Sequence, residues 1–358
     1  MKKICFFINN VSNSGGTEKI TILTANYLAK SGFDVTILTI EPFIESFFKI
    51  NSNVSVETLG IARKGNIKRR LKIGYAVNKF ISMKGFEFFV AVDSLIFIYL
   101  LQSILSRRCK FICWEHFNFN INLGVRLRTV SRCLASVLAD RIIVLTERDK
   151  ERWKTFLPWC KNKIKVFYNT SSYPVSKNIY DVKNKVVLAV GRLTHQKGFD
   201  LLIDAWSEIA KQHCDWKLII VGYGDSHSAL QDKIIDLNVD SQVEIIPPTL
   251  AINEYFSTAG VFCMSSRFEG LPLVLIEAQA FGLPTVAFDC DCGPSEVITE
   301  DSGYVVPFGD VSAFSKSLST LLSNDTLRLK MSKSTRENAT QFTTEAYLNR
   351  WLQMLSEK

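Results

Sequence analysis

Several patterns that identify whole classes of protein are missing from this chain of 358 residues. The nine cysteines are an odd number and show no pair of C-x-x-C spacings, so neither a disulfide framework nor a zinc-binding module is predicted. Cys290 and Cys292 are the only close neighbours. We interpret the cysteines as reduced thiols in a cytoplasmic compartment. No internal repeat or low-complexity tract is evident.

The chain also lacks an evident leader and an uninterrupted hydrophobic run of membrane length. The start, MKKICFFINN, is basic and briefly apolar, but polar residues from position 9 to 16 follow too early for a signal peptide, so a first strand is predicted. The most apolar stretch, residues 88–105, approaches the length of a membrane span. Asp93 and Ser94 interrupt it and favour a strand followed by a capped helix.

Charge is distributed unevenly. Residues 1–178 hold 28 Lys and Arg against 12 Asp and Glu, a net charge of +16, whereas residues 179–358 hold 15 against 23. The basic clusters are Arg63, Lys64, Lys68, Arg69, Arg70 and Lys72, then Arg107, Arg108 and Lys110, then Arg126, Arg128 and Arg132. They predict reversible, salt-sensitive attachment to an anionic membrane or a diphosphate-linked acceptor, although a solubilising surface is the simpler alternative. No nucleic-acid motif accompanies them.

Apolar runs alternate with longer amphipathic stretches such as residues 19–30, which predicts repeated strand and helix units. The expected strands are 4–8, 35–40, 88–92, 111–114, 141–145 and 164–168, then 186–190, 217–221, 243–246, 261–264, 284–288 and 304–306. We predict an α/β protein with two facing Rossmann-like doubly wound domains and a cleft between them. The domains are 1–169 and 186–342, joined by a polar linker, 170–185; an amphipathic helix, 343–358, could pack back on the first domain.

The segment SSRFEGLPLVLIEAQAFGLPTV, residues 265–286, carries the strongest signal. A buried strand should precede it, Gly270 allows a tight loop, Pro272 suits the first position of a helix, and Gly282 ends that helix. Free amides at the helix start favour a diphosphate. Glu269 and Glu277 accept hydrogen bonds and repel phosphate, so they favour neutral hydroxyl groups, as on ribose or a hexose. The alternative is that both glutamates only serve helix stability and solvation.

A second motif, GRLTHQKGFD, follows the strand 186–190. Gly191 frees the backbone, while Arg192 and Lys197 supply two cations suited to a diphosphate leaving group. Gly222 begins a G-x-G turn after the next strand, but the third glycine of a dinucleotide fingerprint is absent. We therefore expect a turn near phosphate or nucleoside and no nicotinamide site.

The first half offers a glycine loop and a polar strand end. Gly15 and Gly16 would let backbone amides approach a ligand before a helix beginning near Glu18, unless they form only a flexible turn. His116 follows a predicted strand and is our candidate for a contact to a sugar hydroxyl or acceptor, although a lone histidine is more often structural. Asp289 and Asp291 form a D-x-D, but no further ligands accompany them, so no metal site is predicted.

Six segments form a recognisable set: SGGTE, WEHFN, GRLTHQKGFD, the G-x-G turn, SSRFEGLPLVLIEAQAFGLPTVA and GPSEVI. Together they resemble the retaining glycosyltransferases of family 4, which have the GT-B fold. The second-half motifs are the more specific ones. The chain is most similar to bacterial enzymes that build O-antigen, capsule or lipid-linked glycans, in which an EHSN segment is similar to Glu115–Asn118 with Phe117 in place of Ser.

The resemblance implies roles for particular residues. Arg192 and Lys197 would grip the donor diphosphate, Glu277 would hold the ribose hydroxyls, and Glu269 would contact the transferred sugar. The backbone that would complete the donor site belongs to Gly270, Leu271, Pro272, Leu273 and Val274. It also implies retention of configuration by front-face attack, with no dedicated nucleophile, no metal and no cofactor.

The implied reaction transfers a hexose or N-acetylhexosamine from a nucleotide sugar, with UDP expected from resemblance alone. The acceptor would be polyprenyl-diphosphate-linked or another glycan in bacterial surface polysaccharide synthesis. The enzyme would be cytoplasmic and peripheral on the inner face of the membrane. Alternatives are another GT-B reaction, such as nucleotide-sugar epimerisation or phosphorolysis, and a non-catalytic sugar-nucleotide sensor.

Overall fold

The computed structural model describes residues 1–62, 67–106, 108–122, 124–177 and 180–357, which divide into two units. The first unit contains Met1–Tyr168 and Tyr347–Lys358, and the second contains Asn169–Ala346. Three members of the basic clusters, Arg63, Lys64 and Arg107, lie outside the described residues.

The first unit is built on a seven-stranded parallel sheet in the order β3-β2-β1-β4-β5-β6-β7. Its strands are β1 (Lys3–Ile8), β2 (Asp34–Thr39), β3 (Val54–Thr58), β4 (Phe88–Val92), β5 (Lys110–Trp114), β6 (Arg141–Val144) and β7 (Ile164–Val166). The central strands are nearly continuous apolar runs because helices cover both faces of a parallel sheet. The sequence pattern missed β3, whose residues are largely polar and only partly buried.

The helices of this unit are α1 (Gly16–Lys30), α2 (Ile67–Lys84), α3 (Ser94–Phe97), α4 (Leu101–Leu105), α5 (Leu127–Leu138) and α6 (Glu147–Phe156). The helix expected near Glu18 begins two residues earlier, at Gly16, because Gly15 is its cap. Asp93 caps α3 as predicted, since its carboxylate accepts a hydrogen bond from the Leu95 amide at 2.8 Å. No helix in the described ranges combines the length and hydrophobicity that a bilayer crossing requires.

The second unit has a six-stranded parallel sheet in the order β10-β9-β8-β11-β12-β13. Its strands are β8 (Val186–Val190), β9 (Lys217–Val221), β10 (Val243–Ile246), β11 (Val261–Met264), β12 (Thr285–Asp289) and β13 (Gly303–Pro307). Its helices are α7 (Phe199–Ile209), α8 (His227–Asp236), α9 (Ile252–Thr258), α10 (Leu273–Ala280), α11 (Pro294–Val297), α12 (Val311–Ser323) and α13 (Asp325–Ala339). This order is that of a doubly wound nucleotide-binding sheet.

The segment predicted as a linker, 170–185, is packed on the second unit where it is described. Ser176 donates its amide to the Ala280 carbonyl at 2.7 Å, and the Tyr180 hydroxyl donates to the Gly260 carbonyl. These contacts attach the segment to the residue before β11 and to the last residue of α10. A polar composition alone therefore did not distinguish a flexible tether from a strap fixed by backbone hydrogen bonds.

The last helix, α14 (Thr344–Ser356), contributes its residues from Tyr347 onward to the first unit. Trp351 is fully buried there, and its ring packs edge-on against Phe6, Trp114 and Phe167 at centroid distances of 5.8, 5.0 and 5.5 Å. Such aromatic contacts stabilise the packing beyond the area they bury. The C-terminal end of the chain is thus part of the core of the first unit.

We expect Trp351→Ala to lower the free energy of unfolding by about 3 to 5 kcal/mol, because it leaves a large cavity among aromatic rings. Chemical denaturation followed by far-UV circular dichroism measures the change. Trp159→Ala is the matched control, since Trp159 is exposed and should cost no more than about 1 kcal/mol. Equal, small effects of the two changes would show that α14 is not part of the core.

Candidate functional site

The loops after β8 and β11 meet at the point where the strand order of the second sheet reverses. β8 and β11 are neighbours in the sheet, yet the chain leaves β8 toward β9 and reaches β11 only after β10. Their loops diverge to opposite sides of the sheet, which opens a crevice at the carboxyl ends of the two strands. Ligands of doubly wound sheets bind at such a crevice.

Lys197 and Glu269 lie in contact across this crevice. Lys197 Nζ is 2.6 Å from Glu269 Oε1, and the Ser266 hydroxyl donates to the same oxygen at 2.7 Å. Both charged side chains are largely buried, with 15% and 9% of their side-chain surface exposed. An ion pair with so little solvent around it is less screened than a surface pair.

A second set of contacts fixes the two loops to each other. Arg267 forms a bidentate pair with Asp200 at 2.8 and 2.6 Å and also donates to the His195 carbonyl at 2.9 Å. The Ser265 hydroxyl donates to the Lys197 carbonyl at 3.0 Å. This brace sets the distance between the cation and the carboxylate, and planar bidentate pairs of this kind hold geometry well.

Glycines allow the loops to approach closely. A Cβ on Gly222 would lie 1.8 Å from the Gly191 carbonyl oxygen, and one on Gly198, which has φ 63°, would lie 2.1 Å from the Ser265 carbonyl oxygen. The aliphatic chain of Lys197 passes over Gly191, since a Cβ there would meet it at 3.2 Å. Gly222 and Gly198 therefore have to be glycine, because a Cβ there would clash with backbone atoms.

Arg192 is placed differently from Lys197. Its side chain is exposed, and its guanidinium has no hydrogen bond or ion pair with any residue that the structure describes. It stands in the same loop as Lys197, so it is available to an anionic ligand without first breaking an internal contact. Lys197 is thus held in place by an internal contact before any ligand binds, whereas Arg192 is not.

The helix after Glu269 begins at Leu273, one residue later than expected. Pro272 has ψ 117°, so it precedes α10 and does not form its first residue. Pro272 carries no amide hydrogen, which leaves Leu273 and Val274 as helix-start amides without an intrahelical acceptor. The loop residues Gly270 and Leu271 come next to them, and the Leu271 carbonyl accepts from the Asn169 side-chain amide at 2.8 Å.

Glu277 lies within α10 and is buried, with 3% of its surface exposed. The alternative of a solvated glutamate on a helix surface is therefore wrong. The Ser172 hydroxyl lies 3.4 Å from Glu277 Oε1, and burial together with the Glu277 charge raises the pKa of the Tyr173 phenol. A buried carboxylate with hydroxyl neighbours suits hydrogen bonding to further hydroxyl groups.

The D-x-D region forms a packed turn. Gly293, with φ 104°, caps α11, and a Cβ on it would lie 2.8 Å from the Pro272 ring. Burial raises the pKa of the Cys290 thiol, so this cysteine is a poor nucleophile. In the described part of the chain, no three His, Cys, Asp or Glu side chains are grouped as metal ligands.

Glu115 is the centre of a buried ionic cluster at the carboxyl edge of the first sheet. Its carboxylate pairs with Arg132 at 2.8 Å and Arg128 at 3.5 Å and accepts from the Ser94 hydroxyl. Burial opposes its ionisation, but the two guanidiniums and the Ser94 hydroxyl lower the pKa of Glu115 below its ordinary value. Arg128 also pairs with Asp93 at 2.6 Å.

This cluster corrects one prediction from the charge pattern. Arg128 and Arg132 were assigned to a basic surface, yet both are buried. The guanidinium of Arg132 also donates to the backbone of the loop after β5, with hydrogen bonds of 3.0 and 3.1 Å to the carbonyls of Asn118 and Ile121. The sequence gives no sign of this, because buried and exposed arginines look alike until the opposing carboxylates are placed.

His116 is buried beside this cluster, and its ring centroid lies 4.5 Å from that of Trp114. Burial lowers the pKa of His116 to about 4, although the neighbouring Glu115 charge acts in the opposite direction. The ring is therefore neutral at pH 7. Its buried Nε2 has no hydrogen-bond partner among the residues that the structure describes, which is unusual for a polar atom in this position.

Gly15 and Gly16 stand at the start of α1, where Glu18 folds back over them. A Cβ on Gly15 would lie 2.4 Å from Glu18 Oε2, and the Asn13 side chain donates to Glu18 Oε1 at 3.2 Å. The carboxylate already complements the positive end of this helix. A neutral ligand group fits here better than a phosphate, which Glu18 would repel.

Arg267, Asp200 and Ser266 were not among the predicted site residues. Asp93 was predicted only as a helix cap, and Arg132 only as part of a basic surface, so the ionic cluster that they help to form was not predicted. Arg267 and Asp200 belong to two motifs of the second half, but no role was predicted for either residue. Their signal was available in principle, because each stands two or three residues from a predicted site residue at a strand end. Their pairing required the strand order.

Two family models match the chain, one on each half. The model described as Glycosyltransferase Family 4 matches residues 14–170, and the one described as Glycosyl transferases group 1 matches residues 175–339. Together they span nearly all of both units.

Named bacterial glycosyltransferases are similar to the chain along nearly its whole length. It is 32% identical to the amylovoran biosynthesis glycosyltransferase AmsD of Erwinia amylovora, covering 99% of this chain and 100% of that protein. It is 25% identical, over 100% and 99%, to a Campylobacter jejuni GalNAc-α-(1→4)-GalNAc-α-(1→3)-diNAcBac-PP-undecaprenol α-1,4-N-acetyl-D-galactosaminyltransferase.

Its fold matches that of S. aureus TarM, solved with UDP and α-GlcNAc-glycerol, at a TM-score of 0.85 and 15% identity over 100% of both chains. The sequence similarity to AmsD and the paired family models establish the family, and the two parallel-sheet units agree with the fold. The chain belongs to glycosyltransferase family 4 and has the GT-B fold.

Proposed function

We propose that this glycosyltransferase transfers a hexose or N-acetylhexosamine from a UDP-sugar, with retention, to a lipid-linked or other glycan acceptor in bacterial surface polysaccharide synthesis. It would work in the cytoplasm, at the inner face of the membrane. The observation that carries the proposal is the contact of Lys197 with Glu269 at the switch point of the second sheet, next to the start of α10.

The donor site follows from the charges at this crevice. Lys197 has three donors, and only one is needed for Glu269, so the ammonium can also bind a phosphate oxygen. The exposed Arg192 adds a planar fork, and the Leu273 and Val274 amides add the positive end of α10. Glu277, buried within the same helix, would accept hydrogen bonds from the ribose, and Glu269 from the sugar.

The proposed chemistry needs only these groups. The bond between the anomeric carbon and the diphosphate oxygen breaks while the acceptor hydroxyl oxygen bonds to the same face of that carbon. The acceptor proton passes to the departing phosphate, and UDP leaves. Arg192, Lys197 and the helix start stabilise the negative charge that grows on the leaving group, which is the role that a divalent metal has in other transferases.

We assign acceptor contacts to the first unit. His116 is neutral and has an unsatisfied Nε2, which suits a hydrogen bond with a sugar hydroxyl. Glu115, Arg128 and Arg132 position the loop that carries it, through the buried ionic cluster. A lipid diphosphate acceptor is supported by the name of the C. jejuni relative, and UDP by the ligand of TarM.

Lys197→Ala should lower kcat/KM for the cognate donor about a hundredfold or more, because the loss of one electrostatic contact to the leaving group costs roughly 2.7 to 4 kcal/mol. The donor is first identified with a panel of nucleotide sugars, since one present at a hundred times its Kd raises stability by about 2.7 kcal/mol. Turnover is then followed as release of UDP and as label in the acceptor.

Lys211→Ala is the matched control, since Lys211 is an exposed lysine of the same unit outside the crevice. It should keep full activity. Full activity of Lys197→Ala would remove Lys197 from the site. Nucleotide release without labelled acceptor would favour an epimerase, a phosphate requirement would favour a phosphorylase, and binding without turnover would favour a sensor.

His116 should titrate near pH 4, because burial favours the neutral ring. Its folded pKa lies below the ordinary value of 6.5, so its contribution to stability is complete above that pH and is lost as the pH falls toward 4. NMR of ring-labelled protein measures this, with His116→Gln used to assign the resonance. A midpoint between pH 6 and 7 would show that the ring is solvated and not the buried group described here.

A further inference from the structure

Helix α2 of the first unit exposes a row of apolar side chains. Ile67, Leu71 and Tyr75 follow one another at intervals of four residues and are 70%, 71% and 64% exposed. On another side of the helix, Ile73, Val77 and Ile81 are buried in the core. The helix is thus apolar on two sides, and burial against its own sheet accounts for only one of them.

Basic side chains lie directly beside the exposed row. Lys68 and Lys72 follow Ile67 and Leu71 by one residue and are exposed, as is Lys79. The helix contains six Lys and Arg and no Asp or Glu in IKRRLKIGYAVNKFISMK. An apolar row bordered by lysines whose ammonium groups can reach phosphates is the pattern of a helix lying in a membrane interface.

The helix that packs against α2 also ends in an exposed apolar side chain. α4 packs against α2, and its last residue, Leu105, is 84% exposed. Neither α3 nor α4 contains a Lys, Arg, Asp or Glu. Near the end of α2, Met83 adds another apolar side chain that is 73% exposed. Within α2 itself, the three apolar side chains of the row follow one another on successive turns, and a contiguous exposed apolar surface marks an interaction site.

We propose that α2 and the end of α4 dock on a bilayer containing anionic lipid. Ile67, Leu71 and Tyr75 enter the boundary of headgroups and acyl chains, and Lys68, Lys72 and Lys79 bind lipid phosphates. The helix lies parallel to the surface and does not cross it. This placement differs from the general charge pattern, which had included Arg128 and Arg132, because those two residues are buried.

Charge selects the bilayer over other occupants. A second copy of the chain docked on the same surface would bring two helices with six cations each and no carboxylate together, which like charges disfavour. An anionic bilayer offers phosphates to the lysines and an acyl boundary to the apolar row at once. The inference rests on the proposed place of work at the inner face of the membrane, but all of its observations lie in the first unit, so its test is separate from that of the donor site in the second.

The test is cosedimentation of the full chain with phosphatidylcholine vesicles, with and without phosphatidylglycerol, at about 0.1 M and about 1 M salt. We expect binding that requires phosphatidylglycerol. Lys68→Gln with Lys72→Gln should lower the partition coefficient roughly thirtyfold at low salt. Leu71→Ser with Tyr75→Ser should lower it by about tenfold or more and abolish whatever binding remains at high salt.

Ile235→Ser is the matched control, since Ile235 is an exposed apolar residue on α8 of the second unit. It should bind vesicles as the unchanged protein does. The variants of Lys68 and Lys72, of Leu71 and Tyr75, and of Ile235 should retain turnover of a water-soluble acceptor, which shows that they fold. Lys197→Ala should lose turnover and keep vesicle binding.

Three results would overturn the proposal. These are no vesicle binding by the unchanged protein, unchanged binding by Leu71→Ser with Tyr75→Ser, and a dimer in sedimentation velocity that this double change dissociates. The last result would assign the surface to a second copy of the chain.

Discussion

The contact between the Lys197 ammonium and the Glu269 carboxylate is the interaction on which the second unit's site depends. It joins two loops that leave neighbouring strands in opposite directions, so it forms only if the strand order places β8 beside β11. The Arg267 and Asp200 pair holds the same two loops from the outside. The cation is therefore positioned before any ligand arrives, which would lower the reorganisation cost of binding the diphosphate proposed for this site.

In the first unit, too, buried ion pairs fix a loop at the end of a strand, but there one carboxylate pairs with two cations. Its centre is a carboxylate, Glu115, enclosed by two guanidiniums, and the loop after β5 is held by the donors that remain on Arg132. A buried cluster of this kind is costly to desolvate and adds little net stability. What it provides is a fixed backbone at the sheet edge, where His116 is kept neutral by burial.

The strands and their alternation with helices could be predicted from the sequence because buried parallel strands are short apolar runs, as in Val186–Val190. The edge strand β3 could not be predicted in this way, because most of its residues are polar and it is a strand only through its pairing with β2. At the candidate site, Glu269 and Lys197 were predicted because each follows a strand end near glycine, and Glu277 because it lies in the helix that comes next. The contact distance between Lys197 and Glu269 depends on the strand order. Arg128 and Arg132 were wrongly predicted to be exposed, because the sequence around an arginine does not indicate which distant carboxylates its guanidinium will pair with.

The measurement that tests the donor site most directly is a crystal structure of the protein with UDP. We expect electron density for the diphosphate within hydrogen-bonding distance of Lys197 Nζ and of the amides of Leu273 and Val274, with the ribose hydroxyls on Glu277. Density for UDP elsewhere on the second unit, with the contact between Lys197 and Glu269 unchanged and the crevice empty, would contradict it.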